Sequence, residues 1–87
     1  MPAVNTVAWT PKATKQLLKL DRLAQRRIRD AVGGLTSFPE TPNVKRLTNH
    51  EHGYRLRVGD YRVLFDFDGA VKIITIEEVK KRDEHTY

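Results

Sequence analysis

Hydrophobic residues recur along this chain with two different periods, and the change between them divides it. Residues 4–9, ending at Trp9, read as a short strand. Thr10-Pro11 follows, with a side-chain oxygen placed to accept from the first free amides of a helix and a proline suited to its first position. Ala13, Leu17, Leu18 and Leu20 give that helix an apolar side, and Lys12, Lys15 and Lys19 give it a wet one. Asp21 is placed to cap a second helix. There Leu23, Ala24, Ile28, Ala31, Val32 and Leu35 recur at helical spacing, opposite a stripe of Arg22, Gln25, Arg26 and Arg29. Gly33-Gly34 lowers helix propensity by about 1 kcal/mol per glycine relative to alanine, which predicts fraying or a stop.

Residues 36–48, with Pro39 and Pro42, read as a loop with a short strand around 44–47. From Tyr54 onward the period is two. Gly59-Asp60 and Asp68-Gly69 are hairpin-turn signals, and residues 71–79 form a third strand rich in isoleucine and valine. The predicted fold class is α+β: β-α-α followed by an antiparallel three-stranded meander, with the helices on one face of the sheet, in one domain spanning residues 1–87.

Two-residue turns set a register. Val58 pairs with Tyr61, Arg57 lies opposite Arg62, and Arg62 lies opposite Thr75. Tyr54, Leu56, Val58, Tyr61, Val63, Phe65, Ile74 and Ile76 then face the helices. Arg55, Arg57 and Arg62 share the other face with Leu64, Ile73, Thr75 and Glu77. Glu77 and Glu78, adjacent on a strand, are expected to point to opposite faces and to form no carboxylate pair. Like charges across a sheet cost a few tenths of a kcal/mol up to about 1 kcal/mol, so the arginine cluster has two readings. It is a solvated face screened by Glu77 and Asp66, or it is a phosphate-binding face, because arginine forks match phosphate oxygens.

Charge sharpens the second reading. The net charge is +5, and residues 1–46 carry nine Lys/Arg against Asp21, Asp30 and Glu40. Such a domain attracts polyanions, nucleic acid or an acidic protein. The chain ends Lys80-Lys81-Arg82-Asp83-Glu84-His85-Thr86-Tyr87, which is either a solvated tail or a set of cations and proton-transfer groups delivered beside the arginines. Cysteine is absent, which excludes disulfides and thiolate metal sites and suits a reducing cytoplasm. No signal pattern or membrane-spanning apolar run is present, so a soluble cytoplasmic protein with no membrane partner is expected. His50 and His52 flank Glu51, but a lone H-x-H is weak grounds for a metal site, and no metal or cofactor is expected. No P-loop, Rossmann glycine pattern or nucleophile elbow occurs. Trp9 is read as a packing anchor.

The first-helix segment Ala13-Thr14-Lys15-Gln16-Leu17-Leu18-Lys19-Leu20, the run Tyr54-Arg55-Leu56-Arg57-Val58-Gly59-Asp60-Tyr61-Arg62-Val63 and the ending from Arg82 to Tyr87 together resemble the RelE/ParE toxin superfamily. The resemblance spans nearly the whole chain, and its tail favours the ribonuclease branch. It implies a microbial-RNase-like fold, a cognate antitoxin, and a toxin that cuts mRNA in the ribosomal A site by attack of the RNA's own 2′-hydroxyl, without metal. By motif position, Arg55 and Arg57 grip the RNA backbone, with Lys80 beside them. Arg62 and Arg82, or Lys81 in place of Arg82, stabilise the phosphate, and Tyr87 or His85 handles the proton. A DNA gyrase inhibitor on the same fold, or a non-catalytic module acting as corepressor with an antitoxin, are the alternatives.

Overall fold

A computed structural model describes residues 4–81. Strand β1 (Thr6–Trp9) leads through Thr10 into helix α1 (Pro11–Leu18), and α2 (Arg22–Gly33) runs on into a 3-10 turn (Gly34–Ser37). Strands β2 (Val44–Arg46), β3 (Tyr54–Val58), β4 (Tyr61–Asp68) and β5 (Ile73–Lys81) complete the chain order. The predicted caps are in place. Thr10 Oγ1 accepts from the Ala13 amide at 3.1 Å and Asp21 Oδ1 from the Ala24 amide at 2.7 Å.

The sheet is mixed and five-stranded, in the order β1-β5-β4-β3-β2. The expected meander is its centre. β1 adds to one side, parallel to β5, and β2 adds to the other, antiparallel to β3. Helix α1 packs over β5 and α2 over β3. Between the layers lie Ala13, Leu17, Ile28, Val32 and Leu35 from the helical side and Leu56, Val63, Phe65, Ile74, Ile76 and Val79 from the sheet. Phe38 seals one end, edge-on to Tyr54, Phe65 and Phe67. Trp9 packs against this core as expected, but Leu18 and Leu23 are each 57% exposed. They sit at the margins of their helices' apolar arcs, just outside the packed stripe.

The β3–β4 turn is as predicted: Val58 pairs with Tyr61 across Gly59-Asp60, and Gly59 has the positive φ of 55° that such a turn demands. The β4–β5 connection is not. Asp68 pairs with Ile73, so residues 69–72 form the loop, Lys72 adopts φ 56°, and β5 starts two residues later than expected. That change moves the register by an even number and leaves the faces of Ile74 and Ile76 unaltered. A second irregularity does alter faces: Phe65 pairs with Ile76 while Leu64 pairs with Glu78, so β5 carries one extra residue there, Glu77. Beyond the bulge, Arg62 lies opposite Lys80, where the sequence register had placed Thr75. Val79 enters the core, and Glu78 and Lys80 join the arginine face.

Candidate functional site

On the sheet face away from the helices, strand pairing lays out two rows. One runs Lys45, Arg55, Leu64, Glu78; the other runs Arg57, Arg62, Lys80. Three cations thus stand directly opposite one another on three neighbouring strands. Arg55, Arg57, Gly59, Tyr61 and Arg62 line a concavity of about 100 Å³. Among the described residues, no carboxylate lies within ion-pair distance of Arg55, Arg57 or Arg62. Lys80 has Glu78 at 3.6 Å, but the arginines of the row repel one another and become favourable neighbours when a polyanion supplies the charge.

The screening role expected of Asp66 and Glu77 is not what the structure shows, because both are gathered elsewhere. His52, in the connection between β2 and β3, is nearly enclosed between two carboxylates, Nδ1 at 3.1 Å from Asp66 Oδ2 and Nε2 at 3.3 Å from Glu78 Oε2. Asp66 Oδ1 also accepts from the Gly53 amide at 2.8 Å. Burial pushes the Asp66 carboxyl up, but the Gly53 amide and the bonds from His52 and Glu77 outweigh it and hold it below its ordinary value. Burial and the neighbouring Asp66 push Glu77 up. Glu78, 7% exposed, is pushed up by burial and brought net below its ordinary value by Lys12 and Lys80, at 3.2 and 3.6 Å, and by His52.

The expectation that Glu77 and Glu78 part company therefore fails. The bulge at Glu77 breaks the strict alternation, and both carboxyls end near His52, Glu77 through its bond to Asp66. His52, Asp66 and Glu77 also place ligand atoms within 4.8 Å of one another, as do Glu51, His52 and Glu78. The H-x-H pattern was the sole sign of this cluster in the sequence, and Asp66 and Glu78 are separated from it by 14 and 26 positions.

Of the candidate residues, Arg55, Arg57, Arg62 and Lys80 are brought together. Lys81 pairs with Tyr61 and belongs to the register of the helix-covered face. Arg82, His85 and Tyr87 lie outside the described residues.

Residues 7–85 match the family model for the ParE toxin of type II toxin-antitoxin systems, parDE. Comparison with curated protein sequences gives no match. Among solved structures, a chain of the RelBE2 toxin-antitoxin complex from Mycobacterium tuberculosis is 29% identical with a TM-score of 0.73, over 91% of this chain and 99% of that one. A chain of the archaeal RelE-RelB complex from Pyrococcus horikoshii is 26% identical with a TM-score of 0.77, over 93% and 98%. The isolated RelE toxin of Escherichia coli, 13% identical, shares the fold with a TM-score of 0.78 over 94% and 88%.

Proposed function

The chain belongs to the ParE toxin family of type II toxin-antitoxin systems, and from that premise we propose that it is a ribosome-dependent endoribonuclease of the RelE kind. It cuts mRNA in the ribosomal A site by attack of the 2′-hydroxyl on the adjacent phosphate, stops translation in the cytoplasm, and is restrained by a protein antitoxin. The antitoxin is supported by the toxin-antitoxin complexes among the structural relatives. The observation that carries the catalytic reading is the row Arg57, Arg62, Lys80, whose two arginines have no described carboxylate partner.

In this mechanism the cationic row binds the RNA backbone, with Arg55 and Arg57 holding the flanking phosphate. Arg62 faces the scissile one, where fixed donors are worth most as charge builds on its oxygens. Guanidinium groups stay protonated at any physiological pH, so they stabilise charge and transfer no proton. Arg82 is proposed as the second stabilising cation, and Tyr87 or His85 as the proton-transfer group. Lys81 is the less suited cation, because its strand position is that of the opposite face.

Arg62→Ala is expected to lower the single-turnover rate of cleavage on programmed ribosomes by about 10²–10³-fold. Unchanged cleavage by Arg62→Ala and by a chain lacking Tyr87 would remove the proposed site. Inhibition of gyrase supercoiling with message left intact would replace the reading altogether.

A further inference from the structure

A second cavity adjoins the arginine concavity. It is a cleft of about 220 Å³ between the start of α2 and the β3–β4 turn, lined by Asp21, Leu23, Arg27, Asp60 and their neighbours. Gly59 and Tyr61 line both cavities, so the two share one wall, and no side chain rises from Gly59. The cleft is smaller than the roughly 300–1,000 Å³ of sites for drug-sized molecules, which suits one ring system.

Its chemistry is that of a hydrogen-bonded base pocket. Leu23 offers exposed apolar surface and Tyr61 an aromatic ring. Asp60 and Arg27 are exposed, and among the described residues neither is in an ion pair. Asp21 has one oxygen engaged by the Ala24 amide and a second left over. A carboxylate acceptor and a guanidinium donor thus stand at one small cleft beside a phosphate-gripping surface. A single strand held by its phosphates must put its bases somewhere, and unstacked bases are read through their exposed edges.

We propose that this cleft is a nucleobase subsite selecting guanine in the strand gripped by Arg57 and Arg62, an inference that rests on the RNA reading above. Guanine presents N1–H and N2–H₂ donors to a carboxylate and O6 and N7 acceptors to a guanidinium. No other base offers that adjacent donor pair to a carboxylate: uracil has a single N3–H, cytosine only its N4 amino group and adenine only its N6 amino group. Asp60 and Arg27 read the base, Tyr61 supplies a face for stacking, and Leu23 closes the apolar side.

The test measures binding of short single-stranded RNAs, protected by a 2′-deoxy sugar at the cut and differing in one base. The unaltered protein is expected to bind the guanine RNA at least about tenfold more tightly than the uracil RNA. Arg27→Ala and Asp60→Asn, both at exposed positions, are expected to abolish that preference, keep the melting temperature, and bind uracil RNA as before. Equal binding of all four RNAs by the unaltered protein overturns the subsite. So does an Arg27→Ala loss that is uniform across bases, since that is the behaviour of a plain phosphate contact. Arg62→Ala separates the two ideas: it is expected to weaken all four RNAs alike. If it weakens none, the gripping face is wrong, while the guanine preference still judges the cleft.

Discussion

His52 shows what one side chain can hold at the residue scale. Its two ring nitrogens tie β4 and β5, through Asp66 and Glu78, to the connection that enters β3. The titration of its neighbours has a definite sign. Asp66 and Glu78 are held below their ordinary values, so each contributes stability that is present above the unfolded carboxylate range and lost as pH falls through the folded one. Glu77 is shifted up, so the fold favours its protonated form, and that contribution is lost as pH rises. Asp66→Asn is accordingly expected to lower the urea midpoint more at neutral pH than at an acid pH where protonation has removed the carboxylate's contribution. Glu77→Gln, a permanently neutral donor to Asp66, is expected to raise the neutral midpoint. Denaturation curves at the two pH values check both, and midpoints that move equally at both would refute the linkage.

At the element scale, caps and bulge differ in both cost and reach. Thr10 and Asp21 each satisfy one helix amide, so Thr10→Ala or Asp21→Ala is expected to cost about 1 kcal/mol and leave the sheet intact. The bulge absorbs one extra residue. Deleting Glu77 would restore strict alternation and leave the faces as they are, Val79 still opposite Val63 in the core and Glu78 and Lys80 still on the arginine face. The expected change is under about 0.5 kcal/mol, because only the contacts of a half-exposed side chain are lost. Chemical denaturation of the deletion beside Asp21→Ala checks this, and a deletion that costs more than the cap would refute it. The caps were legible in the sequence because a cap is set by residues three apart. The bulge was not, because Glu77 gains its place from Phe65 and Val79 packing inward on either side of it.

At the scale of the whole molecule, charge is sorted by face and by region. The arginine row occupies the sheet face away from the helices, the acidic cluster at His52 occupies another part of it, and among the described residues no helix is long and apolar enough to cross a membrane. Binding through such a row is electrostatic, so affinity for single-stranded RNA should fall with salt at a log–log slope of about −0.7 per phosphate neutralised. Arg57→Ala and Arg62→Ala are each expected to flatten that slope by about that amount, read from binding at several salt concentrations; an unchanged slope would place the RNA elsewhere. The core that carries this surface is small, and Phe65 is fully buried at its centre against Phe38 and Tyr54. Phe65→Ala should cost about 3–5 kcal/mol, a large part of the 5–15 kcal/mol typical of a domain's stability, and so abolish binding by unfolding.

What the sequence by itself determined is what local geometry sets: helix starts at Thr10 and Asp21, and the inward apolar face of the central strands. The pairing of Arg57 with Arg62 belongs with these, because a two-residue turn at Gly59-Asp60 leaves one register. Tertiary structure alone decided that Lys80 completes the row, that Asp66, Glu77 and Glu78 meet at His52 and leave the arginines without them, and that two cavities share the wall at Tyr61. These follow from a loop longer than its turn signal and from one extra residue in a strand. Period-two reasoning is blind to both, since a single inserted residue exchanges the faces of everything beyond it.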